Sequence, residues 1–134
     1  MRIVLDTNVV VSGLISDAGA PAQIVDLCLS SDLGLIVDRR IVAEYREVLA
    51  RAEFGFAPHD VDAFLATLAW AEHVVAAPLP FRLPDRDDEP FLEVAVAGGA
   101  DALVTGNERH FRLRTGRLAV AILSPRKLLD RLGG

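Results

Sequence analysis

The stretch MRIVLDTNVV (residues 1–10) contains a short apolar run, Arg2 to Leu5, with β-branched Ile3 and Val4, and it stops on Asp6. So short a run ending on a carboxylate reads as a buried strand. Asn8 to Ile15 then reads as a short helix. Further out, helices are predicted over Ala20–Ser30, Arg40–Arg51, Pro58–Trp70, Asp88–Ala97 and Ser124–Leu132. Strands are predicted over Leu33–Val37, His73–Ala77, Ala102–Val104 and Ala119–Leu123. The helix signals are apolar spacing, such as Ile41, Tyr45, Val48 and Leu49, and prolines at first turns, as at Pro21, Pro90 and Pro125. Ser124 is the expected cap of the last helix. Strands alternating with helices imply a parallel sheet covered on both faces, with ligands bound beyond the carboxyl ends of the strands. Asp6 stands at such an end.

The 134 residues suit one domain, 1–134, and 51% apolar content excludes a disordered chain. No repeat is visible, and the proline-rich stretch Ala77 to Pro90 is too short to divide two domains. No apolar run approaches the roughly 20 residues of a membrane span, and Asp6 breaks the N-terminal run too early for a signal peptide. The expectation is a cytoplasmic protein with no membrane partner. Cys28 is the sole cysteine, which excludes an internal disulfide and a cysteine metal site, and its leucine neighbours place it in the core. A net charge of -5 argues against a nucleic-acid partner at first sight. Against that, every basic residue except Lys127 is an arginine, suited to bidentate phosphate contacts, and six lie between Arg109 and Arg131. A carboxylate cluster that binds cations also changes the local sign, so charge alone decides little.

Four polar segments interrupt core elements: DTN (6–8), Glu44 within a helical pattern, DRDDEP (85–90) and VTGN (104–107). Carboxylates sharing a pocket repel one another and are costly to bury unpaired. A hard cation, Mg²⁺ or Mn²⁺, removes that cost by taking oxygen ligands. Glu44 projects close to the buried stripe of its helix, where a solvated glutamate is not expected.

Together these segments resemble the PIN-domain nucleases, and within them the toxins of bacterial toxin–antitoxin pairs. The resemblance rests on VLDTNVVVSGL (4–14), RRIVAEYREVL (39–49), LPDRDDEPFLEVA (83–95), GADALVTGNERHF (99–111) and ILSP (122–125), in that order over nearly the whole chain. It implies a three-layer α/β/α sandwich with a central, mostly parallel sheet. It also implies Mg²⁺ or Mn²⁺ as cofactor, single-stranded RNA as substrate, a homodimer, and a cognate antitoxin as partner. By position, Asp6, Glu44 and Asp88 match the three acids, which would be catalytic and metal-binding. Asn8 and Thr105 match polar positions that orient ligands. Asn107 stands where members often carry a fourth acid, which puts full occupancy of a second metal in question.

Each assignment has a plainer counterpart. Asp6 could cap the following helix, and Glu44 could be a surface residue, although Glu47 suits that reading better. Asp85, Asp87 and Glu89 read as a solvated helix start, and Asp101 as a structural turn residue. His110 is either a general acid or base or, the favoured reading, a residue packed or hydrogen-bonded beside Phe111. His59 and His73 have no ligand spacing. Phe64 and Trp70 read as core rather than as a base-stacking platform. A phosphotransferase built on an aspartate after the first strand commonly needs a second aspartate two residues on and a lysine. Here the former is Asn8, and Lys127 lies in the last helix. Glycine-rich nucleotide motifs are absent. The remaining rival is a PIN scaffold that binds RNA or a partner protein without efficient cleavage.

Overall fold

The computed structural model describes residues 1–112 and 120–133. In chain order the elements are β1 (Arg2–Leu5), α1 (Thr7–Ile15), α2 (Ala20–Leu29), β2 (Gly34–Val37), α3 (Arg39–Leu49) and α4 (Pro58–Thr67). They continue with β3 (Glu72–His73), α5 (Glu89–Gly98), β4 (Ala102–Val104), α6 (Arg109–Arg112), β5 (Ala121–Leu123) and α7 (Pro125–Gly133). Short 3-10 turns occupy Ala52–Phe54, Leu68–Trp70 and Arg86–Asp88.

The five described strands form one parallel sheet in the order β3-β2-β1-β4-β5. From β1 the chain steps outward to β2 and β3, then returns through α5 to β4 on the other side of β1. Because parallel crossovers are right-handed, reversing the direction of travel puts α5 on the face opposite α1 and α2. The contacts agree: α5 lies on β1, β2 and β4, whereas α2 packs against α1, α4 and α7. The result is the expected three-layer α/β/α sandwich.

β1 is central, with Ile3 paired to Leu35 on one side and to Ala102 on the other. Covered on both faces, Ile3, Val4 and Leu5 are all fully buried, which is why the run is continuously apolar and not alternating. Each contributes about 1.5–3 kcal/mol of burial. Tyr45 of α3 is also fully buried; its ring meets Phe64 edge-on at 5.5 Å and its hydroxyl donates to the Leu5 carbonyl. Asp38 caps α3 by accepting from the Ile41 amide at 3.0 Å, and Ser124 caps α7 by accepting from the Lys127 amide at 3.1 Å, as expected.

Three expectations need correction. Trp70 is 87% exposed, not core, while Phe64 and Leu68 are buried. Six residues turn an α-helix through about 240°, so Trp70 falls on the far side from Phe64, and the 3-10 turn after Thr67 does not bring it back. The third strand covers Glu72–His73, not His73–Ala77. Its last link is the Val74 amide donating to Val37 at 2.9 Å, where β2 ends and Asp38 turns the chain into α3, so no ladder remains to pair with. The final strand begins at Ala121; Ala119, Arg114 and Arg117 lie outside the described residues.

Candidate functional site

β1 and β4 are neighbours from which the chain departs in opposite directions, so the sheet's switch point lies between their carboxyl ends. Asp6 follows β1 and Thr105 follows β4. The Asp6 amide donates to Val104 at 2.9 Å, and the Thr105 amide donates to Leu123 at 2.9 Å. These extensions of the sheet fix both residues at its rim.

The Asp6 side chain is 7% exposed, and Thr105, fully buried, donates its hydroxyl to Asp6 Oδ2 at 2.7 Å. Burial pushes the Asp6 carboxyl above its usual range; the Thr105 hydrogen bond, the nearby Asn8 and Thr7 amides and His110 offset part of this. Asp6 occupies the cap position of α1, and its side chain makes no capping hydrogen bond. The plain capping role is therefore not what orients it.

Glu44 reaches the same place from α3, where the Thr7 hydroxyl donates to its Oε2. Its pKa is raised, first by burial, with Thr7 opposing and the charges of Asp6, Asp87 and Glu47 adding. Asp88, at the start of α5, is raised to about 6 by burial and by the charges of Asp6 and Asp85, with His110 opposing. The Asp88 Oδ2 atom is buried and has no hydrogen-bond partner. His110 Nδ1 lies 3.3 Å from it, an ion pair when the imidazole is protonated. Thus the charge of Asp6, after β1, opposes the ionisation of Glu44 on α3 and of Asp88 at the start of α5.

The polar residues complete the rim. Thr105 Oγ1 accepts from the Asn107 amide at 3.0 Å, and Asn8 Oδ1 accepts from the Gly106 amide at 3.4 Å. The Asn107 side chain is exposed, in a polar hollow of about 450 Å³ lined also by Gly106, Glu108, Arg109 and His110. His110 is accordingly a neighbour of Asp88 as well as of Phe111, a placement its sequence context disfavoured. Thr7 was also passed over as an orienting residue, although it stands inside the DTN motif; the hydroxyl between two acid-flanking positions was the available signal.

Other carboxylates have different work. Asp85 Oδ1 accepts from the Asp87 amide at 2.9 Å, and Asp101 Oδ2 accepts from the Arg2 amide at 2.8 Å, both structural as expected. Glu89, expected in solvent, is instead buried and accepts from the Leu83 amide at 2.8 Å and from Arg82 at 3.2 Å. Glu93 likewise accepts from the Leu79 amide at 3.1 Å and pairs with Arg40 at 2.7 Å, and Arg40 also grips Asp38 at 2.7 Å. These bonds bind the proline-rich connection to α5, because the prolines leave few backbone groups to do so. Cys28 is inert core, with burial pushing its thiol up to about 12.

Among the described residues, no three His, Cys, Asp or Glu side chains stand together as a ready ion-binding group. The donor chemistry nevertheless fits a hard cation. Asp88 Oδ2 is an orphaned buried oxygen, and the charge of Asp6 holds back that of Asp88. Glu44 is the member turned toward another partner, Thr7.

Fold and site together define a doubly wound α/β protein with an acidic rim at its switch point. A family model described as the PIN domain matches residues 2–109, and the chain belongs to that family, whose members are generally nucleases and typically use divalent metal ions. No curated protein and no solved structure matches the chain. Among the described residues, no helix is long and apolar enough to cross a membrane.

Proposed function

We propose that this protein is a metal-dependent endoribonuclease that cleaves single-stranded RNA in the cytoplasm, as the toxin of a toxin–antitoxin pair and as a homodimer. The observation that supports the nuclease reading is that the charge of Asp6 raises the pKa of both Glu44 and Asp88, and that Asp88 Oδ2 is buried without a hydrogen bond. Asp6, Glu44 and Asp88 would hold Mg²⁺ or Mn²⁺, with Asn107 as an uncharged fourth ligand. When bound, such an ion lowers the pKa of a water and neutralises charge on a phosphodiester.

The chain's own residues orient the donors. Thr105 holds Asp6 by one carboxylate oxygen, and Thr7 holds Glu44. Asn8 accepts from the Gly106 amide, which ties the loop carrying Asn107 to α1. The RNA substrate, the antitoxin and the dimer rest on the likeness to toxins carried by the five stretches 4–14, 39–49, 83–95, 99–111 and 122–125. The second reading, a scaffold that binds RNA or a partner with weak cleavage, is favoured by two observations: Glu44 is turned to Thr7, and Asn107 carries no charge.

The test is cleavage of an unstructured RNA with Mn²⁺, with EDTA, and with Asp6→Asn. The expected outcome is cleavage in Mn²⁺ only. Asp6→Asn should lose more than the roughly 10–100-fold typical when an outer-shell partner is removed. Binding of the RNA without cleavage by the wild type supports the scaffold reading. Cleavage by Asp6→Asn at the wild-type rate refutes the site.

A further inference from the structure

A second cavity, of about 420 Å³, is lined in part by Asn8 and Gly106, and Gly106 also lines the hollow that holds Asn107 and His110. Its size falls within the roughly 300–1,000 Å³ of small-molecule sites. Its apolar lining comes from Val9, Pro21 and Pro125, while Ser12 of α1 and Arg126 of α7 stand exposed at its edge. An apolar slot with a polar margin matches a nucleobase, which has a flat apolar face and a hydrogen-bonding edge.

We propose that this cavity is a nucleobase subsite, which seats a base flanking the phosphodiester held at the acidic rim and sets the base preference of cleavage. The proposal rests on the nuclease reading for the placement of the strand. The Gly106 turn then acts as the sill over which the strand passes from base pocket to acids. Ser12 and Arg126, at the margin, read the base edge, and they are remote in role from the three acids.

The wild-type protein is titrated with each nucleoside 5′-monophosphate in EDTA, following backbone amide signals by NMR, up to about 10 mM, where weak single-base affinity is still detected. Saturating shifts at Ser12, Ala20, Gly106 and Arg126 are expected with at least one nucleotide, and Ser12→Phe, which fills the slot, should abolish them. In cleavage of a randomised RNA pool, Ser12→Phe should flatten the preference at one position beside the cut. It should also raise KM roughly tenfold with kcat little changed, as expected for loss of one base contact. Circular dichroism and the melting temperature verify that this exposed substitution leaves the fold intact. Shifts confined to residues 107–110, or none, overturn the proposal, as does an unchanged base preference in Ser12→Phe. If the wild type never cleaves RNA yet the pocket shifts appear, the nuclease reading falls and the nucleobase site stands.

Discussion

Asp88 carries a buried oxygen without a hydrogen bond, and the chain tolerates this because the carboxyl can take up a proton. Its pKa, raised to about 6 by burial and by the charges of Asp6 and Asp85, lies above the value of 3.8 it would have unfolded. The folded chain therefore binds a proton that the unfolded chain releases between those values. By linkage this contribution to stability is fully present below about pH 4 and is lost as pH rises through about 6. Asp6 and Glu44, also raised, add in the same direction. In EDTA, the melting temperature of the wild type relative to Asp88→Asn should fall between pH 4 and pH 6.5. A difference that stays flat across that range would show that Asp88 is not under charge strain. Asp6 and Glu44 were legible as candidates because each carboxylate stands at or within an otherwise apolar element, whereas Asp88 was singled out of its acidic run only by its position in the family motif. The Thr7 and His110 contacts were not, because each joins residues of different elements across the rim.

At the scale of elements, the close approach of α1 and α2 depends on Gly13. A Cβ at that position would lie 2.6 Å from Val25 Cγ2 and 2.8 Å from the Pro21 carbonyl oxygen, and the second of these is backbone that cannot rotate aside. Gly13→Ala should therefore destabilise the protein by about 1–3 kcal/mol, the usual cost of overpacking, despite the higher helix propensity of alanine. Urea denaturation reads this directly; a stabilised variant would mean the two helices separate easily. The same shift should disturb the cavity lined by Pro21. Helix ends announced themselves through Pro21, Pro90, Ser124 and Pro125. The two-residue extent of β3 did not, since a strand at the sheet edge ends where its neighbour turns away.

For the whole molecule, the net charge of -5 is concentrated in part where cations are proposed to bind, so metal and stability should be coupled. Mn²⁺ at about a hundredfold its Kd should add about 2.7 kcal/mol to the unfolding free energy. The melting temperature should rise accordingly in the wild type and less in Asp6→Asn, at constant ionic strength. Equal shifts in the two proteins would place the bound ions elsewhere. The proposed homodimer would cover apolar surface such as Trp70 and Val75, which stand exposed beside the edge strand β3. Light scattering at micromolar concentration should then report about twice the 14.5 kDa monomer mass. A monomer there refutes the dimer and leaves the active-site assignment untouched.

What the sequence by itself determined was the set of elements and the candidate acids, because burial on both faces of β1 demands an unbroken apolar run and local caps mark the helix ends. It also carried the family, through five motifs in order. Tertiary structure alone decided that Glu89 and Glu93 are buried structural carboxylates: they accept amides from the proline-rich connection. It likewise decided that Trp70 faces out and that His110 stands at Asp88. The physical reason is that a side chain's pKa and exposure depend on neighbours brought from other elements, and period and composition do not encode which neighbours those are.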